Sequence, residues 1–285
     1  MTASNNTPRT WMITGAARGI GLRIVEAALA AGDRVVATSR DVASLRERFA
    51  GNAALLPVAL DVTDEKQAAA AMATALAHFG HVDVLVNNAG FGLLGAVEEA
   101  SADEVRRLYE TNVFGLLNVT RAALPAMRER RSGHVINISS VGGFRAGPGF
   151  GVYCSTKFAV EALSEAMHAE LAPLGVHVTV VEPGYFRTEF LDQSSLGVSP
   201  RILADYAATA GAVRERARQI NLKQPGDPRR LAQALLALVA SPTPPLRLPL
   251  GTDTLAAMAE KNAFVAAETA AWRELSASTD FPAGE

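Results

Sequence analysis

The stretch Thr10-Trp11-Met12-Ile13-Thr14-Gly15-Ala16-Ala17-Arg18-Gly19-Ile20-Gly21-Leu22-Arg23-Ile24-Val25 decides the fold. An apolar run short enough for one strand passes into a turn with glycine at positions 15, 19 and 21, and a helical pattern begins at once. Glycine permits the tight turn and lets backbone amides approach an anion, while the helix N-terminus adds partial positive charge. Glycine-rich turns also serve purely structural ends. The place of this one, after the first strand and before the first helix, favours a cradle for a pyrophosphate built from Thr14, Gly15, Arg18, Gly19, Ile20 and Gly21.

Outward from that turn, short apolar runs alternate with alanine-rich helical stretches. Strands are expected at 10–14, 34–38, 54–60, 82–87, 134–139, 176–182 and 246–250, and helices at 19–31, 42–49, 64–79, 102–127 and 152–171. Gly32, Gly80 and Gly175 stand where C-terminal glycine caps belong. The pattern predicts an α/β chain: a single-domain, Rossmann-like, doubly wound parallel sheet of about seven strands with helices on both faces. That domain is expected to take in 1–285, with its core at 9–251. After Pro183-Gly184 the rhythm breaks, and 185–226 reads as an insertion carrying Phe186, Phe190 and a charged helical piece at 213–219. A long loop beyond a strand's carboxyl end often covers a ligand, so this is a candidate substrate lid, with a surface excursion as the alternative. The tail at 253–275 reads as one amphipathic helix packed on the body.

Composition narrows the function. With 285 residues, 49% of them hydrophobic, the chain can bury a large core, and 27 basic against 29 acidic residues leave a net charge of −2. That balance gives no footprint for nucleic acid or an anionic membrane and points to a small-molecule partner. Cys154 is the single cysteine, which excludes an internal disulfide and fits a reducing compartment. The N-terminal residues Met1 to Pro8 are polar, and no apolar run is long enough to span a bilayer, so the expected location is cytoplasmic. His78, His81, His134, His168 and His177 have no accompanying carboxylate or cysteine pattern, and no metal is expected.

The end of the second strand discriminates between the two nicotinamide dinucleotides, because an acid there bonds the ribose hydroxyls and repels a 2′-phosphate. Here the stretch is Ala37-Thr38-Ser39-Arg40, with no carboxylate until Asp41. Arg40 beside Ser39, with Arg18 in the glycine turn, favours NADP(H) over NAD(H), the alternative being that both arginines are solvated surface charges. Asp61-Val62 closes the third strand and Asn87-Asn88-Ala89-Gly90 the fourth, at the sheet edge where adenine and ribose would lie.

Tyr153 and Lys157 lie four apart on one helix, thirteen residues and more beyond Ser140. A phenol is a poor base at neutral pH, with an ordinary pKa of about 10. An ammonium one turn away favours the phenolate, and lowering the pKa by about three units takes roughly 4 kcal/mol, which one lysine and a cationic nicotinamide ring together could supply. Cys154, next in sequence, reads as a small packing group rather than a nucleophile.

Thr14, Gly15, Gly19 and Gly21, Asp61, the run Asn87 to Gly90, Asn112, Ser140, Tyr153 with Lys157, and Pro183-Gly184 followed by Thr188 together resemble the short-chain dehydrogenase/reductase family over 14–250. The resemblance implies that Tyr153 is the general acid or base at a carbonyl or alcohol oxygen and that Ser140 orients that oxygen. Lys157 would hold the nicotinamide ribose, Asn112 a water linking Lys157 to solvent, and Pro183, Gly184 and Thr188 the carboxamide. It implies, too, a dimer or tetramer formed through helices 102–127 and 152–171. Phe91, Leu93, Phe144, Phe150, Tyr185, Phe186 and Phe190 would make an apolar substrate site. An epimerase or dehydratase using the same Tyr/Lys pair, and a noncatalytic dinucleotide-binding redox sensor, are the rivals.

Overall fold

The computed structural model describes residues 7–193 and 195–281; the polar N-terminal residues 1–6, Ser194 within the insertion, and 282–285 lie outside it. Seven parallel strands form one sheet in the order β3-β2-β1-β4-β6-β7-β9: β1 (Thr10–Ile13), β2 (Arg34–Ser39), β3 (Leu55–Ala59), β4 (Val84–Asn87), β6 (Gly133–Ile138), β7 (Val176–Pro183) and β9 (Arg247–Leu250). The strand order reverses direction between β1 and β4, which opens a crevice at their carboxyl ends. A further pair, β5 (Gly92–Leu94) with β8 (Leu196–Val198), is parallel and stands apart from the main sheet.

Both sheet faces are covered, which is why the strands read as unbroken apolar runs. Period two divides their side chains. Trp11, Ile13, Val35, Ala37, Val84 and Val86 pack with α1 (Gly19–Ala30) and α9 (Pro228–Ala240) on one face. Met12, Val36, Leu85 and Val135 pack with α3 (Glu65–Phe79), α5 (Gly115–Arg130) and α7 (Gly151–Leu171) on the other. The polar tip of buried Trp11 is satisfied, its indole N–H donating to Asp33 Oδ2 at 2.8 Å. The shorter helices are α2 (Ala43–Arg48), α4 (Ala102–Tyr109), α6 (Val141–Phe144) and α8 (Ala212–Ile220), with α10 (Thr252–Ala271) and α11 (Arg273–Ala277) at the end of the chain.

Four features depart from the sequence expectation. The helix expected over 102–127 is two, α4 and α5, joined by a π-turn at Glu110–Phe114. At the junction Gly115 admits Val62, whose Cγ2 a Cβ at that position would approach to 2.6 Å. Helix α9 was not expected, although Asp227 accepts the Arg229 amide as its cap and Pro228 opens its first turn. Strands β5 and β8 are three residues each, too short for a period to register. The C-terminal helix is broken at Trp272, and beyond residue 261 its side chains are exposed instead of packed on the body.

The insertion is not a free flap at its base. The Gly226 amide donates to the Tyr185 carbonyl at 2.9 Å and the Arg187 amide to the Gly226 carbonyl at 2.8 Å, pinching its two ends together. Among the described residues no helix is long and apolar enough to cross a membrane.

Candidate active site

A cleft of about 1630 Å³ runs along the carboxyl edge of the sheet, bounded by the glycine turn, the ends of β2, β3, β4, β6 and β7, the start of α7 and the insertion. It brings together Gly15, Arg18, Gly19, Ile20, Ser39, Arg40, Asp61, Val62, Asn88, Ala89, Gly90, Ser140, Tyr153, Lys157, Pro183, Gly184 and Thr188. Of the residues expected to hold the dinucleotide or take part in the chemistry, Thr14, Gly21, Asn87 and Asn112 do not line it. Thr14, Gly21 and Asn112 instead shape the wall.

Thr14 Oγ1 accepts the amides of Asn88 and Ala89, both at 2.9 Å, locking the glycine turn to the end of β4. Gly21 lets α1 approach that junction: a Cβ there would lie 2.5 Å from the Gly15 carbonyl oxygen and 2.6 Å from Asn88 Nδ2. Gly15 and Gly19 have φ of 62° and 56°, left-handed backbone that favours glycine. No side chain caps the N-terminus of α1 and no acid stands in its first turn. Its amides therefore remain suited to a phosphate, so the residues present fit a dinucleotide.

At the end of β2, Ser39 and Arg40 both line the cleft. The nearest acid, Asp41, turns its Oδ1 to the Ala43 amide at 2.8 Å, at the start of α2. Asp61 accepts both the amide and the hydroxyl of Thr63, at 3.0 and 2.8 Å. Asn87 faces away from the cleft, donating to Thr120 Oγ1 and Asn137 Oδ1 inside the core. That leaves Asn88, Ala89 and Gly90 as the cleft-lining part of the run.

Tyr153 lies in the first turn of α7 and Lys157 in the second, both buried. Ser140 caps α6 through the Gly142 amide at 3.0 Å and hydrogen-bonds the Tyr153 phenol. The Tyr153 ring is flanked by Phe150 and Phe190, at centroid distances of 6.1 and 5.7 Å. Lys157 Nζ donates to the Ile138 carbonyl at 2.8 Å and lies 6.0 Å from the Tyr153 ring centroid. Burial pushes the phenol above its ordinary range, and the Ser140 hydrogen bond opposes this only in part. Burial likewise pulls Lys157 down to about 8, against the attraction of Glu161. The lysine-driven lowering of the phenol pKa expected from the sequence is thus not found among the protein's own groups, because desolvation penalises both charges.

Asn112, in the π-turn, donates to the Phe91 carbonyl at 3.0 Å and to Thr156 Oγ1 at 3.1 Å, and its Oδ1 accepts the Phe91 amide at 3.1 Å. A π-turn at a functional cleft is a recurrent arrangement. Of the expected substrate contacts, Phe91, Phe150, Tyr185, Phe186 and Phe190 line the cleft; Phe144 and Leu93 do not. Sequence reasoning missed Arg107, Arg145, Gln224 and Asp253, which also line it. Asp253 presses on Gly184, where a Cβ would lie 2.3 Å from its carboxylate, and its Oδ2 accepts the Tyr185 amide at 2.7 Å. Its isolated position in the sequence carries no signal of this.

Residues 9–198 match the model of the short chain dehydrogenase family. The chain belongs to that family. The short-chain dehydrogenase relationship extends along most of the length: the chain is 38% identical over 271 residues to "Oxidoreductase BOA17" of Botryotinia fuckeliana, covering 94% of this chain and 98% of that protein. It is 36% identical over 247 residues to a 3-ketodihydrosphingosine reductase of Bacteroides thetaiotaomicron, covering 86% and 88%. A crystal structure of a short-chain dehydrogenase from Streptomyces avermitilis superposes with a TM-score of 0.90 at 42% identity, covering 96% of this chain and 100% of that one. More distant solved members are complexed with NADP or NADP+, with 5-hydroxy-NADP, and with NADH. Among the described residues no cluster of metal-ligating side chains occurs.

Proposed function

We propose that this short-chain dehydrogenase is an NADP(H)-dependent oxidoreductase interconverting a carbonyl and an alcohol, with Tyr153 as general acid/base. The observation that carries the reading is the convergence of Tyr153, Ser140 and Lys157 on one wall of the cleft whose other end holds the glycine turn, Ser39 and Arg40. A bound reduced dinucleotide would supply the hydride. Tyr153 gives its phenolic proton to the carbonyl oxygen, and its burial, which holds that proton at neutral pH, suits the reductive direction. Ser140 donates to the same oxygen and fixes its position. Lys157 would hold the ribose, and the second lone pair of Asn112 Oδ1 would hold a water through which the phenol regains its proton. Pro183, Gly184 and Thr188 would seat the carboxamide.

The aromatic flanks of Tyr153 support an apolar substituent on the substrate. The single cysteine supports a reducing, cytoplasmic setting. Phe158 on α7 and Phe114 ahead of α5 are 42% and 48% exposed, which supports a homo-oligomer formed through those helices.

Titration with NADPH and separately NADH, followed by nicotinamide fluorescence, tests the cofactor assignment. NADPH is expected to bind more tightly, and Arg40→Ala to weaken NADPH by roughly tenfold while NADH is unaffected, as loss of one charge-assisted contact requires. Equal binding of the two dinucleotides by the wild type would overturn the assignment.

A further inference from the structure

Glu99 and Arg214 form a buried ion pair outside the cleft that the chemistry above does not use. Their side chains are 0% and 7% exposed, and 115 residues separate them. Glu99 Oε2 accepts Arg214 Nη1 at 2.6 Å and the Ala96 amide at 2.8 Å; Oε1 accepts the Leu203 amide at 2.9 Å and Arg214 Nη2 at 3.3 Å. One carboxylate thereby ties together the loop after β5, the irregular stretch around Leu203 and helix α8. The Arg214 guanidinium and the Leu203 and Ala96 amides hold its carboxyl down to about 2, so it stays ionised at neutral pH.

What these contacts hold in place is the substrate side of the cleft. Val213, next to Arg214, lines the cleft and packs where a Cβ on Gly149 would lie 3.3 Å from its own. Leu191 and Val213 share a small cluster with Leu94, Leu196 and Phe150, and Phe190 lies against the Tyr153 ring. Other ties of this segment are the three-residue β5–β8 ladder and the exposed bonds that Arg201 and Tyr206 make to Glu98. Helix α8 buries just Arg214 and Ala217, and Ile202 is 64% exposed. The dinucleotide end of the cleft, in contrast, grows out of the main sheet and its core.

We propose that Glu99 and Arg214 are a clasp that positions the substrate-side wall of the cleft and leaves the dinucleotide side untouched. A fully desolvated charge pair with every acceptor site filled has one good geometry, and removing either partner leaves the other buried without compensation. Residues 190–213 then lose their fixed seat, while the sheet and Thr188, held at the pinched base of the insertion through the Gln224 side chain, keep theirs.

The test uses Arg214→Met, Glu99→Gln and Arg214→Lys in the full chain. Amide hydrogen exchange over 190–213 is expected to speed up by about tenfold or more in the first two and by less in the lysine variant, while exchange over 10–30 stays within about twofold. The Kd for NADPH is expected to be unchanged. Benzaldehyde reduction is expected to show a KM raised about fivefold with kcat nearly constant, an arm that rests on the reductase reading. Unchanged exchange over 190–213 would overturn the clasp, as would equal acceleration of both segments, the mark of a general loss of stability. If Arg214→Met does not fold, the same comparison in Glu99→Gln and Arg214→Lys decides. Wild-type protein that shows the expected exchange contrast with its variants but reduces no aldehyde would count against the reductase reading and leave the clasp standing.

Discussion

Tyr153→Phe is expected to lower carbonyl turnover with NADPH by roughly 10²–10⁴-fold, the usual contribution of a positioned general acid. Phenylalanine fills the same space between Phe150 and Phe190, so the ring packing survives and the melting temperature should hardly move. Ser140 keeps its bond to the Gly142 amide. What disappears is the phenolic O–H that the proposed mechanism uses to protonate the substrate oxygen. Single-turnover oxidation of prebound NADPH by an aldehyde or ketone measures the step, and nicotinamide fluorescence checks that NADPH still binds. A variant that turned over like the wild type would remove Tyr153 from the chemistry.

The second large effect concerns a buried acid pair behind the site. Glu182, at the end of β7, and Glu161, one turn beyond Lys157 on α7, have side chains 0% and 7% exposed and share Arg247, whose Nε lies 3.6 and 3.5 Å from them. Arg247 also pairs with Glu165. Burial, and then the neighbouring Glu161, push the Glu182 carboxyl well above its usual 4.5; burial pushes Glu161 up as well. The sign follows from linkage: above pH 4.5 the unfolded chain releases the Glu182 proton while the folded protein retains it. The stability this group contributes is therefore full below 4.5 and drains away as pH rises through neutrality. Glutamine keeps the shape and cannot ionise. Glu182→Gln should match the wild type near pH 5 and be more stable near pH 9, by about 1–2 kcal/mol, or roughly 2–6 °C in melting temperature. Thermal melts across that range decide it; parallel curves would mean that Glu182 is ionised in the folded protein throughout.

Neither Glu182 nor Glu161 stood out in the sequence. Glu182 closes an apolar strand run, and an acid at that point reads as the strand's solvated end. Its enclosure comes from β9 and α7, which reach it from 65 residues downstream and 21 residues upstream. Glu99 and Arg214 were silent for the same reason. The Tyr153-Lys157 pair, in contrast, was legible because one helical turn sets its spacing, and the glycine turn because left-handed backbone at Gly15 and Gly19 needs glycine.

Local chemistry thus already determined the order of strands and helices, the parallel sheet, the phosphate-type turn at 15–21 and the cleft-facing set at Asn88 to Gly90, Ser140, Tyr153 and Lys157. Those features depend on periods of two and 3.6 residues and on glycine's backbone freedom, all of which act over a few positions. Tertiary packing decided the rest. It turned Asn87 into the core and engaged Asn112 with Phe91 and Thr156. It also interrupted the helix after Tyr109 and joined β5 to β8 across a hundred residues. Packing likewise set what the protein's own groups do to Tyr153: proximity of a lysine is written in the spacing, but the loss of water that raises the phenol and lowers the lysine exists only once the chain has closed over them.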